Sequence, residues 1–238
     1  MSNTVSGKDM GADGGAGNKA RYYKKAFWRD ENLKYVEPHH RLEKSARIIN
    51  GIARGGERTL LDVGCGPATL KRLLDPSIQY HGIDISIHIP APYLIEYDFL
   101  DAPIRFGDKK FDMIVAQGVF EYMGDFQTRK FQEIAGLLND GGVFILSYVN
   151  FDHRDKEIYW PYNNVQSFDD FRESLARYFN VDRFFPTSYN WRHSEPGRKL
   201  LRAVNMHINV NIPVISRTLA VEYFLVCSSR KPGVRARS

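Results

Sequence analysis

The chain has 238 residues, 43% hydrophobic and 13% aromatic, which is enough apolar content to bury the core of one α/β domain. Its formal charge of +5 is local: Arg230, Lys231, Arg235 and Arg237 carry four of the five, while residues 1–20 sum to zero. An excess held in a tail argues against a basic nucleic-acid-binding face, no apolar run is long enough to cross a bilayer, and two distant cysteines, Cys65 and Cys227, make neither a disulfide framework nor a zinc site.

Residues 1–20, rich in Gly, Ala, Asp and Asn, read as a disordered tail without the apolar centre of a secretory signal, so a reducing cytoplasm is the expected location. Residues 21–54 read as helix, interrupted at Pro38 and resumed with Leu42, Ala46, Ile49 and Ile52 at helical spacing, then stopped by Gly55 and Gly56. A regular alternation follows. Strands are predicted over 59–63, 80–85, 93–99, 111–118 and 143–149. A helix opened by Pro67 runs through TLKRLL, and a second covers 128–138. Asn139–Gly142 reads as a turn. Ser167 caps a helix over 167–179 with Asp169 and Asp170 in its first turn, and late strands cover 181–188 and 219–228. Strands alternating with helices predict a doubly wound, mainly parallel sheet in one domain over 21–228. Residues 150–166 and 189–217 are candidate insertions over the site, and 229–238 form a basic tail. Within the second insertion, VNMHINVNIPVI alternates apolar residues with Asn and His, a pattern of a half-buried strand or irregular lid rather than a helix.

The informative segment is LLDVGCGPATL. A buried strand ends at Val63 and the chain turns through Gly64 and Gly66, where glycine permits positive φ and a close approach of ligand to backbone. In open parallel sheets the ligand crevice lies beyond the carboxyl ends of the strands. Asp84 closes the second strand, about 20 residues on, where an acid hydrogen-bonds ribose hydroxyls in nucleotide-binding folds. Asp98 ends the third strand, in reach of an adenine amino group, and Gln117 and Gly118 end the fourth beside the same crevice. A dinucleotide dehydrogenase fits less well, because Thr69 stands at the third small position of G-x-G-x-x-G.

From Leu60 to Val149 the chain resembles the class I S-adenosylmethionine-dependent methyltransferases. LLDVGCGPATL resembles that family's first motif, YHGIDIS its second-strand acid and EYDFLDAPI its adenine-side motif. FDMIVAQGVFEYMGD and LLNDGGVFILSYVNF resemble its fourth and fifth strands. The resemblance implies a seven-stranded sheet whose last strand, LAVEYFLVCSS, is antiparallel. It places Asp62, Gly64, Cys65 and Gly66 against the methionine part of the cofactor, Asp84 and Ile85 at the ribose, Asp98 and Phe99 at the adenine, and Gln117 by the methionine and sulfonium. Two positions depart from the pattern: Ala68 replaces the third glycine, and the frequent Glu-His after the fourth strand is Glu121-Tyr122.

His153, directly after the fifth strand, is the candidate general base for a hydroxyl acceptor. Tyr23, with Tyr22 and Trp28 in the N-terminal helix, is a candidate to cover the sulfonium by cation–π contact. No Asp/His/Glu spacing suggests a metal. The expected activity is O- or N-methylation of a small-molecule or sugar acceptor, since the insertions carry aromatics and amides suited to such ligands (Tyr159, Trp160, Asn163, Tyr189, Trp191). The alternatives are an RNA or protein methyltransferase, and a silent module that binds the cofactor to order a partner. The oligomeric state has no signature in the sequence.

Overall fold

The computed structural model describes residues 25–54, 56–99, 102–104, 106–151, 166–189 and 211–230. Helix α1 (Lys25–Asn32) runs into a single 3-10 turn at Leu33–Tyr35, and α2 (His40–Ala53) begins after the break at Pro38. His39 caps α2, its Nδ1 accepting from the Arg41 backbone N–H at 3.2 Å.

Seven strands form one sheet: β1 (Arg58–Val63), β2 (Ile78–Asp84), β3 (Leu94–Glu96), β4 (Phe111–Ala116), β5 (Leu138–Val149), β6 (Phe179–Tyr189) and β7 (Ala220–Ser229). Their order is β3-β2-β1-β4-β5-β7-β6, with β1 to β5 parallel and β7 antiparallel between β5 and β6. This is the mainly parallel sheet with a reversed last strand expected from the sequence. The strand order reverses between β1 and β4, the point at which such sheets open a crevice.

Helix α3 (Gln127–Leu137) and α4 (Phe168–Ala176) cover one face and α2 the other; α5 (Pro213–Leu219) leads into β7. Successive strand residues point to opposite faces. Leu61, Val63, Ile114 and Ala116 therefore pack with Phe131 of α3 and Phe171 of α4, while Leu60, Met113 and Val115 pack with Ala46 and Ile49 of α2. Burial on both faces explains why β1 and β4 read as continuous apolar runs rather than alternating ones. Both cysteines are buried and free.

Three local expectations are corrected. The helix placed after Pro67 is only a 3-10 turn, Thr69–Leu73, because Ala68 takes φ 56° after Gly66 at φ 53°, and positive φ cannot enter an α-helix. Asn139–Gly142 is not a free turn. It forms a wide irregularity inside β5, which places four residues between its pairings with Phe111 and Met113 where β4 places one, with Gly141 at φ 75°. The third strand shrinks to Leu94–Glu96, since it pairs with β2 alone. The end of VNMHINVNIPVI opens α5, with Pro213 at its first position; residues 204–210 of that stretch, and residues 152–165 and 190–210 of the two insertions, lie outside the described residues. Among the described residues no helix is long and apolar enough to cross a membrane.

Candidate functional site

The glycine turn is fixed by geometry on both sides. Gly64 has φ 72°, and a Cβ there would lie 2.5 Å from Val119 Cγ2, so both backbone and space demand glycine. The Gly64 and Cys65 N–H groups both donate to the Ile83 carbonyl, at 2.8 and 3.1 Å, which ties the turn to the end of β2.

Asp84, 5% exposed, is the hub of the turn. Its Oδ2 accepts from Gly66 N–H at 2.8 Å, and its Oδ1 from Ser86 N–H at 3.0 Å and from Asn32 Nδ2 at 3.1 Å. Burial pushes this carboxyl above its usual range, and the three hydrogen bonds pull it only part of the way back. Asp62, equally buried at the end of β1, accepts from the Tyr80 hydroxyl at 2.7 Å. Burial raises its pKa to about 7 in spite of that bond.

These residues line one cavity of about 270 Å³ at the carboxyl ends of β1, β2 and β4. Gly64, Cys65, Gly66 and Ile85 join the two aspartates there, as do Asp98, Phe99 and Gln117. Nine of the residues singled out from the sequence thus converge on one cavity. Tyr23 and His153 lie outside the described residues.

Sequence reasoning missed another part of the wall. Arg41 of α2 lies against Gly118, where a Cβ would be 3.2 Å from its Nη1. Its Nη1 donates to Glu222 Oε1 at 2.9 Å, and the Thr187 hydroxyl donates to Glu222 Oε2 at 2.9 Å. Burial pushes Glu222 up, but the Arg41 charge and the hydrogen bonds from Ser147, Arg41 and Thr187 outweigh it, so the carboxyl stays below its usual range. The same pair raises Arg41. Glu121, 4% exposed, Trp28 and Asn32 complete the wall. Two of these had a signal: Trp28 is one of the N-terminal aromatics singled out above, and Glu222 is an acid inside the apolar run LAVEYFLVC, next to the Val149 end of β5. Arg41 is one more cation on a charged helix, and nothing local marks it.

A family model described as a methyltransferase domain matches residues 27–184. The chain belongs to this methyltransferase family. No curated protein sequence matches it. Among solved structures it is similar to the complex between the Haloferax volcanii Trm112 methyltransferase activator and a methyltransferase (TM-score 0.59, 19% identity, covering 87% of this chain and 97% of that one). It is also similar to the N-methyltransferase NodS from Bradyrhizobium japonicum with S-adenosylhomocysteine (0.53, 11%, 86% and 99%) and to the [4+2]-cyclase SpnF (0.52, 20%, 78% and 80%). At these identities the likeness is one of fold.

S-adenosylmethionine is the cofactor of this methyltransferase family, and the cavity fits it chemically. The Gln117 Oε1 atom is buried on the wall and accepts no hydrogen bond from any described residue, while its amide nitrogen donates to the Ser45 hydroxyl. A buried acceptor of this kind calls for a donor, and the cofactor's ammonium is one. The guanidinium of Arg41, the one Lys or Arg side chain lining the cavity among the described residues, would hold its carboxylate.

Proposed function

We propose that this methyltransferase acts on a small-molecule or sugar acceptor, methylating oxygen or nitrogen, and that the cavity beyond β1, β2 and β4 holds the donor. When bound, the cofactor supplies an electrophilic methyl group, so the chain's own task is to orient two ligands and exclude water. Asp84 and Ile85 take the ribose, Asp98 and Phe99 the adenine. Asp62, Gly64, Cys65, Gly66 and Gln117 take the methionine part. Asp84 has about four lone-pair sites, and its protein partners fill three, so a ribose hydroxyl bonds the free one on Oδ2, and a second hydroxyl needs Asn32 to swing aside.

The observation that carries the small-molecule reading is that the N-terminal segment walls the cavity: Trp28, Asn32, Tyr35 and His39 line it. The segment is held down by the Thr69 hydroxyl, which donates to the Tyr35 carbonyl at 2.6 Å and the Val36 carbonyl at 3.1 Å. A polymer acceptor needs an open groove or a side chain long enough to thread in. The RNA reading is also disfavoured by the sequence, in which residues 229–238 carry four of the five net positive charges. The silent-module reading is answered by turnover.

The test has two steps. S-adenosylhomocysteine should raise the melting temperature by mass action. An acceptor screen with methyl-labelled cofactor should then yield a small labelled product. Absence of any thermal shift at millimolar ligand, with the protein folded, would count against the donor site itself.

A further inference from the structure

The charge on the cavity wall is lopsided, and it stays so when the donor is added. Among the described lining residues, Asp62, Asp84, Asp98, Glu121 and Glu222 face Arg41 alone. S-adenosylmethionine brings a sulfonium, an ammonium and a carboxylate, hence one net positive charge. The described lining therefore remains net negative with the donor in place, even with Asp62 protonated. A buried site of low dielectric magnifies that imbalance. It attracts a cationic acceptor and repels an anionic one.

The position of the charge narrows the choice. Asp62, Asp84 and Asp98 stand at the ends of β1 to β3, on the donor side, and Glu222 is hydrogen-bonded to Arg41 and Thr187, while Arg41 of α2 and Tyr148 of β5 also bear electrostatically on Glu121. Glu121 sits instead in the 3-10 turn Phe120–Tyr122 after β4, next to Gln117 and Gly118, where the methyl group is delivered on the reading above. Beside it Tyr122 meets Trp28 edge to face, with ring centroids 5.0 Å apart, and both rings line the cavity. A carboxylate and two aromatic rings on one cavity wall form an environment for an ammonium group.

We propose that the acceptor is a small amine that enters as an ammonium ion, and that Glu121 is the residue that holds it and receives its proton. This rests on the methyltransferase reading of the site and names its substrate class. The acceptor R–NH₃⁺ transfers one proton to the Glu121 carboxylate. The nitrogen lone pair then forms the N–C bond as the C–S bond breaks with both its electrons left on sulfur. The products are R–NH₂⁺–CH₃, the neutral thioether and a protonated Glu121, which returns its proton to solvent.

The experiment pairs amines with their isosteric alcohols and acids: benzylamine, benzyl alcohol and benzoate; putrescine, 1,4-butanediol and succinate. Each is tested for turnover with labelled S-adenosylmethionine and for binding to the protein loaded with S-adenosylhomocysteine. At least one amine should bind tenfold or more tightly than its alcohol and its acid, and any turnover should fall on nitrogen. Glu121→Gln should lower kcat/KM for that amine by about 10²–10⁴-fold, or weaken its binding where turnover is too slow to follow, and remove an acidic limb from the pH profile, while S-adenosylhomocysteine still binds the folded variant. Trp28→Leu should weaken the amine and not the alcohol. Equal binding of all three analogues, oxygen methylation at matching rates, a preference for the acid, or a Glu121→Gln variant as effective as the parent would each overturn the proposal. These outcomes are read only in protein that binds S-adenosylhomocysteine; loss of that binding in the unaltered chain overturns the site reading instead.

Discussion

Two aspartates at strand ends behave differently because their partners differ. Asp84 receives hydrogen bonds from Gly66, Ser86 and Asn32, so it organises the glycine turn as well as offering an acceptor to a ribose. Asp84→Ala should weaken S-adenosylhomocysteine by roughly 1.5–3 kcal/mol, the range for a hydrogen bond to a charged group, and should also lower the melting temperature of the free protein. Asn32→Ala separates the two effects by removing a donor and sparing the carboxylate. If Asn32 only occupies the second ribose position, its loss leaves the affinity intact or improved; calorimetry on both variants decides. Asp62 carries a pH signature. Its folded pKa of about 7 stands above an unfolded value of about 4, so the folded state binds the extra proton. That contribution to stability is complete below pH ~4 and lost as the pH rises to ~7. Denaturant titrations of the parent and Asp62→Asn, at pH 5 and pH 8, should diverge by on the order of 1–4 kcal/mol; parallel profiles would remove the buried-proton account. At this scale the sequence was legible where a strand end met a glycine turn. It was silent on Arg41 and Asn32, whose roles come from helices folded back across residues far away in the chain.

The elements themselves were legible in proportion to how much of their environment was local. The buried strands and the helix capped by Ser167 follow from apolar runs and from a side chain that accepts from Asp170 N–H at 3.2 Å. The element after Pro67 was misjudged because the proline rule describes a helix start, whereas two residues at positive φ around it hold a turn that only tertiary contact justifies. Asn139–Gly142 has turn composition and skips the ladder pairings of β5, but side chains of β4 and β7 hold it: Asn139 Nδ2 donates to Asp112 Oδ1 and Gly141 N–H to Ser229 Oγ. The glycine turn yields a paired test. Gly64→Ala must place a Cβ against Val119 at φ 72°, at a cost of about 1–3 kcal/mol from backbone strain alone. It should abolish binding of S-adenosylhomocysteine. Gly51→Ala, in helix α2 with nothing within 4 Å of the new methyl, should stabilise by about 0.5–1 kcal/mol. Melting curves that moved in the same direction for both would refute the geometric reading of the turn.

At the scale of the molecule, the sheet sets the cavity at one end and the last described residues of β7 at the other. The cavity lies at the carboxyl ends of the parallel strands, where Glu222 at the start of β7 pairs with Val149 at the end of β5. β7 then runs away from the site to Ser228, opposite Val143 at the other end of β5. The last residues of the strand are structural. Ser229 Oγ accepts from Gly141 N–H at 3.0 Å, and the Arg230 guanidinium donates to the Ala176 carbonyl at the end of α4. The fold therefore needs residues up to 230, while Lys231, Arg235 and Arg237 beyond them carry three of the five net charges. Removal of residues 231–238 should leave the melting temperature, the affinity for S-adenosylhomocysteine and small-molecule turnover within a factor of about two, since the bonds that fasten the end of β7 are made by Ser229 and Arg230. A cut after residue 228 should destabilise, because it removes the Ser229 and Arg230 bonds as well. The comparison also weighs the acceptor classes. Were the acceptor a nucleic acid, the shorter deletion would cost turnover and flatten its salt dependence. A loss of that kind, with cofactor binding intact, would move the reading from a small acceptor to a polyanionic one recruited by the tail.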